Sequence, residues 1–491
     1  MKYLDIPLGP LIYDLGGAPT DPPGYLVQAD GVRHTTRGFR SFLVMAEVTS
    51  TTALPGLGAG RLYATSYNGT TNLFACSSNQ PSSSAAYIRQ TQDFGVNWSD
   101  IEGPSGAPGI WADFCQFDEF LICGSRARVP QQKSLFAAVG TTLADLAGSP
   151  PTGATIARVR DHVVIGNLTT DNLSKFAIRW GAFGDPEDWP TPGTADARSK
   201  QAGIQYMPVE LGEVLKIVGG EKSGLVFQER GITRMTYVGG SAVFEFDTFE
   251  KKIGAGARQL DANSVLIPHP VTQVDNLFVW ANVLYNRGIF ATDGYSIRKI
   301  SEGVLDQRTD IWGNNSYSAA YDDRKRILCI PMGGPDLLYN IETQTFTGGN
   351  DDNLTFSVVD SPINDDENDK PIISVKDSGM KLAKMDSTTQ QTIAAQTGYI
   401  EIEKGYRVQI QGAEILGVGT PGDLEISAKA AGDFEAVDTS ESGFTSLTEN
   451  PHKVHMGRLD GRFVAFRITG VPTSGQLLQG LRIYYERSTQ I

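Results

Sequence analysis

The chain alternates short apolar runs with turns rich in Gly, Asp and Asn along most of its length. Its most regular stretch runs from residue 180 to 248. Within it, Leu225, Phe227 and Glu229 alternate with Val226, Gln228 and Arg230. Runs at 232–238 and 243–246 follow, split by turns at Gly231 and Gly239-Gly240. Short strands with glycine turns at this spacing predict an antiparallel meander. Upstream, WGAFGDPEDW opens the stretch, and Gly184, Asp185 and Pro186 set a tight bend between Trp180 and Trp189.

From Arg61 the pattern falls into units of roughly 40 to 55 residues, the period of propeller blades with four strands each. RLYATSY, NLFACS and AAYIRQ form the first unit. IWADFCQFDEFLICG opens the second and ATIARVRDHVVIGN the third, which leads into Trp180. Residues 209–249, 276–300, 316–347 and 354–385 make the fourth to seventh. Units two, three, five and six share one plan, strand, turn, strand, with turns at Asp118-Glu119, Arg160-Asp161, Asn286-Arg287-Gly288 and Asp322-Asp323. There is almost no sustained helical periodicity, so little helix is expected. From about residue 394 the strands lengthen and alternate cleanly; Val464, Phe466 and Ile468 share one face, as in an antiparallel sandwich with one wet side. The expected fold is therefore all-β: a β-propeller-like body of about six or seven blades over 56–393, and a C-terminal antiparallel β-sandwich over 394–491. Residues 1–55 are expected to be extended, with helix excluded at Pro22-Pro23.

At 491 residues the chain has ample length for a large core, and its length prior of about three domains is one that large all-β folds exceed. The net charge of −14 argues against a surface that grips nucleic acid, because such affinity comes chiefly from Lys and Arg neutralising phosphates. It suits a surface that DNA slides past. Cys76, Cys115, Cys123 and Cys329 include no CxxC pair and read as buried free thiols of a protein made in a reducing cytoplasm. The N-terminus lacks the basic and apolar regions of a signal peptide, and no apolar run reaches the ~18 residues of a membrane span.

Candidate chemistry is sparse. TQDFGVNW, with Thr91, Asp93, Gly95 and Trp98, resembles the Asp-box of sialidases and other propellers. There the hydroxyl and carboxylate satisfy turn amides and the Trp packs on the blade. One box without an assignable arginine triad points to a structural turn motif. His452 and His455 lack a third ligand for a four-coordinate zinc site. GGSAV lacks the last glycine of a nucleophile elbow, and IGAGARQ the third glycine of a dinucleotide loop. Asp365, Asp366, Glu367 and Asp369 form an acidic loop whose spacing does not fit a calcium site. No catalytic residue, metal ligand or cofactor site is expected.

Six pieces in order resemble one family: WADFCQFDEFLICG, VRDHVVIGN, RWGAFGDPEDW, GLVFQERGITRMTYVGGSAVFEFD with its trailing IGAGA, GIFATDGYSIRKISE, and GRFVAFRITG with LLQGLRIYYE. They are similar to the tail nozzle proteins of short-tailed bacteriophages, also called tail tubular protein B or packaged-DNA stabilisation proteins. The resemblance runs from about residue 60 to the end. It implies a non-enzymatic virion protein, made in the bacterial host cytoplasm and placed in the viral tail. It further implies a homo-hexameric ring below the portal and adaptor (head-to-tail connector) proteins, forming the distal DNA exit channel. Expected partners are further copies of the chain, the adaptor, tail fibre or spike proteins, and viral double-stranded DNA in transit without sequence-specific binding. Residues 1–55 would then close the propeller or contact the adaptor, and Asp365, Asp366, Glu367 and Asp369 would line a channel constriction. The alternative drawn from the Asp-box is a glycan-binding or sialidase-like propeller, such as a receptor-binding tail protein.

Overall fold

The structure is a computed structural model. It describes residues 2–9, 25–47, 61–77, 87–101, 113–260, 266–267, 271–304, 320–330, 337–348, 358–359, 363–376, 381–431, 445–446 and 459–490, with short interruptions. The chain is all-β, with a propeller-like body and an antiparallel β-sandwich. Among the described residues the one α-helix is the single turn Ala195–Ser199, capped by the Thr194 hydroxyl, which accepts from Ala197 N.

The body is a succession of four-strand antiparallel units, with Val358–Val359 added in parallel beside Arg61–Tyr67 of the first and the sixth continuing into a larger sheet. The first comprises Arg61–Tyr67, Thr70–Ser77, Tyr87–Thr91 and Ser99–Asp100. The second is Asp113–Phe117, Phe120–Ser125, Arg128–Ser134 and Ala144–Asp145, and the third Gly153–Val159, His162–Leu168, Ala177–Trp180 and Gly203–Tyr206. The fourth is Val214–Val218, Ser223–Gln228, Ile232–Gly239 and Val243–Glu250. Thr272–Val274, Leu277–Asn282, Gly288–Thr292 and Ile297–Lys299 form the fifth; Ala320–Asp322, Ile327–Ile330, Leu337–Asn340 and Thr345–Gly348 form the sixth. In the seventh, Ile363–Asp365, Lys370–Lys376 and Lys381–Gln390 are joined by Leu43–Glu47 from the N-terminal region, which pairs with Lys381–Gln390.

Neighbouring units bury each other. Successive strand residues point to opposite faces, and each face meets a different neighbour. In His162–Leu168, Val163 and Ile165 pack with Cys115 and Ile122 of unit two, whereas Val164 packs with Ile217 and Val226 of unit four. In Ser223–Gln228, Val226 faces unit three, while Phe227 meets Trp280 of unit five, with ring centroids 5.2 Å apart in an edge-on arrangement. In Leu277–Asn282, Val279 and Ala281 turn toward Tyr321 and Leu328 of unit six. Both faces are apolar for this reason, and runs such as FLICG and HVVIG read as continuous rather than alternating.

The corner at 180–189 is held by its own side chains. Trp180 Nε1 donates to Gln201 O at 3.0 Å, and Trp189 Nε1 donates to Pro186 O at 2.8 Å. Arg179 donates to the carbonyls of Trp189 and Pro190 at 3.0 and 3.1 Å. Position 203 must be glycine, since a Cβ there would sit 2.5 Å from Trp180 Cζ2.

The sandwich takes in strands from both the N-terminal and the C-terminal regions. Lys2–Pro7 and Gly38–Ser41 both pair with Leu477–Gln490, and Leu26–Asp30 pairs with Ile393–Thr397. Ile6, Leu8, Leu26, Ala29, Val32 and Phe39 share one core with Val464, Phe466, Ile468, Leu481 and Ile483. The N-terminal strands up to Ser41 are thus part of the sandwich, because the C-terminal strands alone leave an apolar face that these residues cover. Among the described residues of this region, Leu43–Glu47 joins a sheet of the body. The other face of Phe463–Val471 is not wholly wet: Phe463 and Ala465 are buried with Tyr399 and Ala431. Body and sandwich are also continuous through hydrogen bonding, because Thr345–Gly348 of unit six pairs in parallel with Leu26–Asp30. Asn340 Nδ2 donates to His34 O at 2.8 Å across the same seam.

Phe39 is fully buried in the sandwich, so Phe39→Ala is expected to cost about 3–5 kcal/mol. Urea denaturation read by tryptophan fluorescence and far-UV circular dichroism checks this; a loss below ~1 kcal/mol, the scale of a surface change, would mean the N-terminal strands are not part of the core.

Candidate functional site

The first strands of units one to five line a cavity of about 860 Å³ at the centre of the body. Tyr63, Thr65 and Ser66 come from unit one, Phe114 and Gln116 from unit two, Arg158 from unit three, Lys216 from unit four, and Gln273 from unit five. The alternation that sends apolar side chains between units brings polar ones to this wall.

Behind the wall lies a buried polar network. Lys216 Nζ donates to Asp113 Oδ1 at 2.7 Å, with side chains 6% and 0% exposed. Asp113 Oδ2 accepts from the Thr155 hydroxyl at 2.6 Å and from Ile156 N at 3.0 Å. Phe114 N donates to Oδ1 at 3.0 Å, and the Thr155 hydroxyl oxygen accepts from Ile217 N at 3.0 Å. One carboxylate therefore ties together the first strands of units two, three and four. A charge in this setting is tolerated only because it is paired and its remaining lone pairs are bonded. The adjacent Cys115 thiol is pushed upward, first by burial and then by the Asp113 carboxylate.

The turns at one end of the cavity carry charges of both signs. Arg158 bridges Asp118 at 3.2 Å and Asp161 at 3.1 Å, and lies 5.0 Å from the Phe117 ring centroid. Arg160 pairs with Asp161 at 3.3 Å. Asp118 and Arg160 sit at positive φ, 49° and 58°, as the second-strand turns require. Gln116 Nε2 donates to Asp118 O at 2.9 Å, and the Thr65 hydroxyl donates to Gln116 Oε1.

His162 marks the junction of units three and four. It is fully buried, and its Nδ1 lies 2.9 Å from Gly181 O. A carbonyl only accepts, so Nδ1 carries the proton. Nε2 has no hydrogen-bond partner among the described residues, and the ring is surrounded by Phe183, Phe244 and Tyr237 at 5.4, 5.1 and 5.9 Å. Lys133 is a second buried base. It donates to Ala138 O at 2.9 Å and Thr141 O at 2.7 Å, tying down the segment after its strand, and burial pushes it down to about 8.

The turn at 91–98 is built from its own side chains. The Thr91 hydroxyl donates to Asp93 Oδ1 at 2.6 Å and accepts from Asp93 N and Gly95 N, each at 3.2 Å. Asp93 Oδ1 accepts from Asn97 N at 2.9 Å, Gly95 has φ +92°, and Trp98 is buried. Burial works against the charged Asp93, but the bonds from Asn97 and Thr91 outweigh it and hold the carboxyl below its usual range. Thr292, Asp293, Gly294 and Ser296 repeat this scheme between the third and fourth strands of unit five, with Asp293 Oδ1 accepting from Tyr295 N and Ser296 N at 2.9 and 2.8 Å. Both turns link strands, and none of their residues lines the cavity.

Of the acidic loop, Asp365 ends the first strand of unit seven and pairs with Lys370. Asp366, Glu367 and Asp369 lie outside the described residues, as do His269, His452 and His455. The four cysteines are free and buried. No group of three or more potential metal ligands occurs among the described residues, and no helix there is long and apolar enough to cross a membrane. Asp113 and Lys216 were not singled out by the sequence reading, although each stands as a lone charge in an apolar run, WADFCQF and VLKIV.

No family model and no curated protein matches this chain. Among solved structures it is similar to the extracellular domain of a putative one-component system from B. thetaiotaomicron, at 11% identity and a TM-score of 0.43 over 85% of this chain and 48% of that one. The chain thus spans about half the length of that structure. It is also similar to YCF48 bound to D1 peptide, at 10% identity and a TM-score of 0.42 over 70% of this chain and 98% of that one.

Two measurements probe the site. Lys216→Met strands a buried carboxylate and is expected to cost about 3–5 kcal/mol, whereas the double variant Asp113→Leu/Lys216→Met should lose clearly less than the sum of the single changes; urea titrations of the four proteins give the coupling, and strict additivity would refute it. Burial lowers the His162 pKa from its ordinary 6.5, against the Gly181 bond and Asp161, and His34 is lowered likewise by burial. The unfolded chain therefore takes up protons at these two histidines first as pH falls, so their contribution to stability is constant above about pH 7 and is lost as pH falls through the ordinary imidazole range. His162→Gln should flatten part of that decline, read as the urea midpoint against pH, and His34 should account for much of the rest.

Proposed function

We propose that this chain is a structural virion protein, a tail nozzle that forms the distal DNA exit channel of a short-tailed bacteriophage, retains packaged DNA and lets it pass at ejection. The observation that carries the reading is the ordered series of motifs from Trp111 to Glu486. These motifs fall on architectural positions. WADFCQFDEFLICG covers the first hairpin of unit two, VRDHVVIGN the first turn of unit three, and GIFATDGYSIRKISE the last two strands of unit five. LLQGLRIYYE lies in the long strand Leu477–Gln490 at the centre of a sandwich sheet.

In this reading the chain performs no catalysis. It assembles as a homo-hexameric ring with heterologous contacts, formed by the rims of the units and the sandwich. Its partners are the adaptor proteins, tail fibre or spike proteins, and the double-stranded DNA in transit. A chain of net charge −14 gives the tube a sign like that of DNA, so the duplex passes with little friction. Retention then comes from a constriction of loops, for which 365–369 remains the proposed segment.

Negative-stain imaging of the purified full chain tests this. A six-fold ring with a duplex-wide pore is expected, with weak DNA retention that varies little with salt. A protein that stays monomeric at micromolar concentration, or that binds DNA tightly with a steep salt slope, would overturn the proposal.

A further inference from the structure

We infer that the central cavity of the body is a binding site for a neutral saccharide, one site in each copy of the chain. The cavity volume of about 860 Å³ falls within the range of small-ligand sites. Its wall combines aromatic and polar groups from separate units. Tyr63 and Phe114 stack with centroids 5.6 Å apart and supply an apolar floor. Ser66, Gln116, Gln273 and Glu221 place a hydroxyl, two amides and a carboxylate around it. Such a mixture of donors, acceptors and aromatic surface matches a ring that carries hydroxyls at its rim and C–H groups on its faces.

Charge selects among ligand classes. The three cations of the wall are already committed to carboxylates: Lys216 to Asp113, Arg158 to Asp118 and Asp161, and Arg160 to Asp161. An anionic ligand would compete with these carboxylates for the same groups. The Lys216 pair is also buried, and removing its partner is costly. A polyhydroxylated neutral ligand needs no such exchange, because its hydroxyls both donate and accept. The wall is also rigid, since Thr65 is bonded to Gln116 and Gln116 to the Asp118 carbonyl, so little ordering cost falls on the protein.

The site belongs to one subunit's own axis, and it stands or falls independently of any ring. It also differs in its residues from the turn at 91–98. The test is saturation-transfer NMR on the full chain with maltotriose and cellotriose as neutral probes and tri-galacturonate as the anionic comparator. Saturation of at least one neutral trisaccharide is expected, with tri-galacturonate weaker by tenfold or more. Gln273→Trp fills the cavity from an exposed position in unit five, and Ser66→Trp does so from unit one. Each is expected to abolish the signal while leaving the melting profile unchanged. Absence of transfer to both neutral probes, a stronger signal from tri-galacturonate, or a signal undiminished in whichever of the two variants folds would overturn the inference. A monomer that binds maltotriose at this cavity would sink the nozzle reading and leave this one standing.

Discussion

The sheets of units two to five each have two apolar faces, buried against the sheets on either side. That constraint governs the rest. Val163 and Val164 are neighbours in one strand, yet one belongs to the core shared with unit two and the other to the core shared with unit four. Burying a large aliphatic or aromatic side chain contributes about 1.5–3 kcal/mol, so a unit without its neighbour forfeits several such contributions on each face. The sheets must therefore come as a series, and the first strands of units one to five line a common cavity.

At that centre the apolar logic gives way to electrostatics. Asp113, Thr155 and Lys216 replace packing with a directed network spanning three units. A buried pair of this sort is weak evidence for net stability. Its geometry nonetheless fixes the relative height of the three strands, since a slip of one residue turns every side chain to the opposite face. The cavity, its paired cations and the charged turns at its end all follow from that registration. A body built this way offers a wall of settled charge, which suits both passive architecture and the binding of uncharged molecules.

Much of this was legible in the sequence, for identifiable reasons. Turn chemistry marks the units, because Asp118, Arg160 and Gly184 sit where a positive φ is needed. The single-sided alternation of Val464, Phe466 and Ile468 gave the sandwich face, and all three lie in its core. What local pattern could not give was long-range pairing. Ile6, Leu26 and Phe39 look like scattered apolar residues in an extended arm, and only the uncovered face of the C-terminal sheets explains them. Strand Val214–Val218 was hidden because a lysine interrupts it, and that lysine finds its partner about a hundred residues upstream, in another unit. The hydroxyl and carboxylate of the 91–98 turn were readable because everything they bond lies within a few residues.

The seam between the chain's two ends has a consequence for how the protein is made. Arg482 meets Asp5 across a separation of 477 residues, at 2.7 Å, and the strands around them share one sheet. A nascent chain can stack its middle units as they emerge, but Lys2–Pro7 and Gly38–Ser41 must wait for Leu477–Gln490, which lies far downstream in the sequence. Contacts this distant in sequence form slowly, and waiting strand edges are open to pairing with other chains. Closure of this sheet is therefore a late step, in which residues made early dock onto residues made much later, and crowding of unfinished chains threatens that step before any other.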